Sequence, residues 1–230
     1  MFRRSWKTKM TDSEHLRGWV FFGLYLMVFP YLNAWVQRVL VGDGEPLVAE
    51  AGVLYYAFLF ALALLVFWSF LKKDFTDLLD WLPENLFGIG VGLGGSLLLR
   101  YLLLLLSLPV TDPVPYQYVT QFTVAPVPTL VLTILLIPVV EESLYRGLIF
   151  GNLRRYSVPM AYGVSIIGYA VACVWRYAVE AGDPRYLLLA ILYLPMSAAL
   201  TWCYDNGGSV WGAVVLHAAI NGCILMGVLR

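Results

Sequence analysis

Three charged side chains, Glu141, Glu142 and Arg146, stand in the stretch EESLYR between the apolar runs VPTLVLTILLIPVV and GLIFGNL. Together these segments read as one membrane helix. A charge near mid-bilayer costs on the order of a few kcal/mol unless it is paired or faces a polar cavity, so such residues mark function by default. Glu142 and Arg146 are i,i+4 and share a helix face, which pairs them. Glu141 lies about 100° further round and stays free of that pair. A second polar pair, His217 and Asn221, is also i,i+4, within GGSVWGAVVLHAAINGCILMG. Its depth, ~14 Å from the expected span end, matches ~15 Å for the glutamates. A carboxylate, an imidazole and a carboxamide at one level suit activation of water and stabilisation of an oxyanion.

The elements that must position these groups are membrane helices. Hydrophobic residues make up 60% of the 230-residue chain and charged residues 13%, about half the globular norm. The excess falls in runs of about 20 residues, enough to cross a bilayer. The fold expected is all-α, a polytopic bundle of about seven transmembrane helices at 18–41, 47–71, 86–108, 127–151, 158–179, 184–204 and 208–229. The fifth and sixth carry Arg176, Pro195 and a short polar link, and a six-span count with one of them re-entrant stands beside seven. Arg3, Arg4, Lys7, Lys9, Arg17, Lys72, Lys73, Arg154 and Arg155 fall on one side in the seven-span arrangement. That places the N-terminus in the cytoplasm. Residues 1–126 divide off as three N-terminal spans plus an amphipathic segment at 72–85, read either as an interfacial helix or as a plain connector. Residues 127–230 form the four-span core that carries the polar pairs.

Other features exclude function classes. Net charge is zero and no nucleic-acid motif is present, so the basic arm is a topology signal. Cys173, Cys203 and Cys223 are scattered, without disulfide or zinc spacing. GIGVGLGGS opens an apolar span and follows no strand, which excludes a nucleotide loop. Gly88, Gly92 and Ser96, like Gly90 and Gly94, recur every fourth residue and give faces for close helix packing. A transporter is disfavoured by the lack of an internal repeat. Arg100 lies at the depth of the glutamates, and two readings stand for it: it answers one of them, or it bonds backbone carbonyls or snorkels in a structural role.

EESLYR resembles the EExxxR motif, and HAAIN the HxxxN motif, of the CPBP family of intramembrane proteases, which includes CAAX prenyl-processing endopeptidases and bacterial Abi relatives. RGLIFGNLRR and NGGSVWGAVVLHAAIN agree, and the likeness covers about residues 127–229. The resemblance implies an endopeptidase of the cell membrane, bacterial plasma membrane being the expected location, that cuts a membrane-associated peptide or protein within the lipid bilayer. It implies that Glu141 is the general base, that Glu142 and Arg146 lock and orient the site, and that His217 and Asn221 donate to the tetrahedral oxyanion. The family's middle motif, FxxxH, aligns with Tyr169 to Cys173, so a cysteine stands where histidine is expected. Tyr169, Cys173 and Arg100 are therefore candidate site-lining residues. Cys173 is tolerated with slower turnover, or marks a catalytically inactive relative acting by binding, as an immunity protein or partner scaffold, or serves as nucleophile or metal ligand. Glu141, Cys173 and His217 would be the zinc ligands available, but they are scattered singles. No metal or other cofactor is assigned, and no nucleic-acid partner is expected.

Overall fold

In lipid, an apolar backbone can satisfy its own N–H and C=O groups along its length only as helix or closed barrel. The structure, a computed structural model, describes residues 9–42 and 48–227, and these contain helices and no strand. The helices are α1 (Asp12–Met27), α2 (Phe29–Val41), α3 (Ala49–Asp80), α4 (Leu82–Leu104) and α5 (Pro113–Val124). They continue with α6 (Pro126–Leu153), α7 (Val158–Ala172), α8 (Trp175–Ala181), α9 (Ala190–Gly207) and α10 (Val210–Leu225). A 3₁₀ segment, Pro184–Leu189, leads into α9.

Five helical segments among the described residues are long and apolar enough to span a membrane: α3, α4, α6, α7 with α8, and Pro184–Gly207. The pair α1–α2, bent by 53°, makes a sixth if it counts as one span. The first expected span, 18–41, is thus broken at Val28. Pro30 has no N–H to donate, and its ring crowds the carbonyl four residues back. The last expected span contains α10, only 16 residues long. Its length is less constrained by lipid, because ten of its residues are buried inside the bundle. Residues 72–85 form no separate helix: they are the last turns of α3, a break at Trp81 and the start of α4. Arg3, Arg4, Lys7 and the loop residues 43–46 lie outside the described residues.

Lys9 meets Asp74 and the Gly208 carbonyl and lies 2.6 Å from Asp77. Arg154 pairs with Asp205 at 2.9 Å, and Asn206 donates to the Glu84 carbonyl. Lys9, the α3–α4 turn, Arg154 and the α9–α10 turn therefore share one end of the bundle.

Small residues set the closest helix contact. Asn85, Gly88, Gly92, Ser96 and Arg100 form the buried face of α4, which packs chiefly on α9. A Cβ on Gly92 would come within 2.6 Å of Leu216, and one on Gly88 within 3.2 Å of the Cys203 sulfur. Gly90 and Gly94 face open space, so only one of the two glycine rows is a packing row. Leu54, Phe58, Leu65 and Trp68 on α3, with Leu98, Leu99 and Leu102 on α4, are exposed, as a lipid-facing surface requires.

Candidate active site

The charged stretch lies on α6, whose segments Val131–Leu136 and Ser143–Phe150 are wound as π-helix. Such widening re-aims side chains and recurs at functional sites. All eight residues from Ser143 to Phe150 are buried, so this part of the helix is surrounded by protein on every side. Glu142 and Arg146 form the i,i+4 pair: Arg146 Nη1 lies 3.2 Å from both carboxylate oxygens, and both side chains are 0% exposed. Arg146 Nη2 also donates to the backbone oxygen of Ser197 at 3.1 Å and to its hydroxyl at 2.9 Å. Its guanidinium sits over the Tyr169 ring, 4.5 Å from the centroid.

Glu141 leaves that pair and points to a ring of phenols. Tyr25 donates to its Oε1 at 3.0 Å, Tyr56 to the same oxygen at 3.4 Å, and Tyr169 to Oε2 at 3.0 Å. A tyrosine hydroxyl held away from water seeks a partner, and here three of them find the same one.

His217 Nδ1 lies 2.7 Å from Glu142 Oε1, and its ring meets Tyr169 edge-on at 6.2 Å. An ionised Glu142 only accepts, so Nδ1 carries the proton that joins them. Asn221 spends one amide N–H on the Thr133 carbonyl, at 2.8 Å. Both residues ride on α10, whose start is fixed by Asp74. That buried carboxylate accepts from the Val210 N–H and, at 3.1 Å, from the Ser209 hydroxyl, while Lys9 neutralises it. Gly208 makes the preceding turn at φ +72°, a left-handed conformation that glycine adopts without a Cβ penalty.

Glu141, Tyr169, Cys173, His217 and Asn221 line one cavity of about 540 Å³, a volume typical of ligand sites. Arg100 lines it too but answers neither glutamate. Its Nη2 lies 3.0 Å from Asp112 Oδ2, its Nη1 donates to the Leu192 carbonyl, and Tyr193 donates to both Asp112 oxygens at 2.9 Å. The chain returning from α4 to α5 brings Asp112, the cap of α5, back onto this arginine. Among the described residues, no group of three or more His, Cys, Asp or Glu side chains is placed to hold a metal ion. The set Glu141, Cys173 and His217 does not form one.

Residues 123–223 match a family model described as type II CAAX prenyl endopeptidase, Rce1-like. Over this segment, which is less than half of the chain, the protein is similar to the Rce1-like family. That is a CPBP family, the one that EESLYR and HAAIN resemble. No curated protein and no solved structure matches the chain.

The Rce1-like segment takes in α6 to α10, and with them both polar pairs, Tyr169 and Cys173. It omits Tyr25 and Tyr56, on α1 and α3, which supply two of the three hydrogen bonds to Glu141. The signal for them was a phenol in mid-span, at Tyr25 and at Tyr55-Tyr56. Ser197 and Thr133, which hold Arg146 and Asn221, carry no motif at all.

Proposed function

We propose that the chain is an intramembrane endopeptidase in which Glu141 activates water against a peptide bond of a membrane-associated peptide or protein. The observation that carries this reading is the contrast between the adjacent glutamates. Glu142 is sealed between Arg146 and His217, while Glu141 lines the cavity with hydroxyl donors alone around it.

In this mechanism Glu141 takes a proton from water, whose oxygen attacks the scissile carbonyl carbon. The tetrahedral oxyanion is met by the second N–H of the Asn221 amide and by His217 in its doubly protonated form. Glu141 then passes its proton to the leaving nitrogen as the C–N bond breaks. Glu142 and Arg146 act through their neighbours: Glu142 holds the imidazole by Nδ1, and Arg146 stacks on the Tyr169 ring. Donors fixed before reaction are where such sites gain most of their rate.

Cys173 favours a second reading, binding without cleavage, because it stands where the family motif has histidine. Cleavage of membrane-tethered reporter peptides by wild type, Glu141→Ala and Cys173→His in bilayers separates the two. The protease reading expects cutting that vanishes in Glu141→Ala. Cutting by Cys173→His alone would instead show an intact scaffold with its chemistry lost.

A further inference from the structure

The three phenols do not share Glu141 evenly. An ionised carboxylate offers about four acceptor sites, two on each oxygen. Tyr25 and Tyr56 both donate to Oε1 and fill it, whereas Tyr169 takes one site on Oε2. One acceptor position therefore remains, and it is on Oε2. We propose that Tyr25 and Tyr56 are positioning residues that saturate Oε1 of Glu141 and so assign Oε2 as the oxygen that takes the proton from water. This rests on Glu141 being the base.

The arrangement is built from outside the matched segment. Tyr25 comes from α1 and Tyr56 from α3, and each is only half-buried, at the rim of the same cavity. Tyr55 meets the Tyr56 ring edge-on at 5.1 Å and braces it from the neighbouring position. Two donors on one oxygen fix the carboxylate plane by a line of contact rather than a single pivot. The vacant site on Oε2 then lies beside Tyr169, the ring that also meets His217. In this arrangement the N-terminal helices supply orientation and the family segment supplies the reacting groups.

The test is the pair Tyr25→Phe and Tyr56→Phe, with their double, in the full chain. Tyr101→Phe, on the exposed face of α4, is the control. Loss of a hydrogen bond to a charged group predicts a fall in kcat of roughly 10-fold for Tyr25→Phe, with KM unchanged. Tyr56→Phe should cost less, since its contact is longer, and the double variant more than either. Infrared difference spectra between each protein and its Glu141→Gln counterpart isolate the Glu141 carboxylate bands. These should shift in both tyrosine variants and stay in place in the control, which a merely structural role would not produce. Unmoved bands and unchanged kcat, with Glu141→Gln inactive, overturn the tyrosine assignment alone. Glu141→Gln cutting at the wild-type rate overturns the base reading beneath it.

Discussion

Arg146 is the side chain whose removal tests the site's energetics most directly. It is fully buried, 3.2 Å from both oxygens of an equally buried Glu142. At an effective dielectric of ~20, that separation corresponds to about 5 kcal/mol of attraction. Both ions also carry a desolvation cost of several kcal/mol, so the net worth of the pair is far smaller. Arg146→Met leaves the carboxylate buried with His217 as its one remaining partner, and it takes the guanidinium from the Ser197 hydroxyl, which keeps only the Ser165 carbonyl at 3.4 Å. Breaking a buried pair from one side costs about 3–5 kcal/mol, and that is the destabilisation expected. Glu142→Leu strands the guanidinium, though Ser197 and the Tyr169 ring still hold it, so its cost should fall at or below the lower figure.

The double variant Glu142→Leu/Arg146→Met removes both charges, and replacing a whole buried pair by apolar groups is often close to neutral. Its cost should undercut the sum of the singles by at least about 2 kcal/mol, above the ~0.5 kcal/mol scatter of independent sites. Tryptophan fluorescence during SDS unfolding in mixed micelles measures all four corners of the cycle. Cleavage should not return with stability in the double variant, because His217 has lost the acceptor at Nδ1. Arg146→Met within about 1 kcal/mol of wild type, or additive singles, would refute the reasoning.

Gly92→Ala forces a Cβ to 2.6 Å from Leu216 and should cost about 1–3 kcal/mol in the same assay, whereas Gly90→Ala meets nothing and should be neutral or slightly stabilising. Asp74→Asn removes the charge that faces Lys9 and caps α10, and should destabilise by about 3 kcal/mol. Faster hydrogen exchange over residues 210–213 should accompany it, with a lower kcat, since His217 rides on the same helix. Glu142→Gln should lower both stability and cleavage, and Glu141→Gln should abolish cleavage with little change in the unfolding midpoint. Equal destabilisation by the two would remove the distinction drawn between them.

Local spacing made part of this site legible. Glu142 with Arg146, and His217 with Asn221, are neighbours on their own helices, so i,i+4 arithmetic places each pair on one face. The contacts that join the pairs are tertiary and left no such trace. His217 reaches Glu142 across 75 residues, Tyr25 reaches Glu141 across 116, and Tyr56 across 85. For Arg100 depth left a glutamate and backbone carbonyls both open: the Leu192 carbonyl answers the second, while its acidic partner, Asp112, sits in a connecting loop that no depth argument reaches. Among the helices, apolar length was a sound guide to where spans lie and a poor one to where they break. Pro30 carried the information for the bend at Val28. The charged residues after Lys72 concealed that α3 continues to Asp80, because Asp74 is buried by Lys9 and α10 rather than left at an interface.

Two adjacent carboxylates on one helix can hold different roles only if their surroundings differ, and here the surroundings come from different parts of the chain. Glu142 meets a cation and an imidazole, both within the family segment, and is shut away from the cavity wall. Glu141 forms no ion pair among the described residues and takes its hydrogen bonds from phenols, two of which lie outside that segment. A cation at Glu141 would bind the charge that a base must use, whereas neutral hydroxyls orient the carboxylate and leave its charge uncancelled. Helices α1 and α3, which precede the matched region, therefore do more than wall the core from lipid. Together they supply both hydrogen bonds to Glu141 Oε1, and a site built from α6 to α10 alone would hold Glu141 by a single tyrosine.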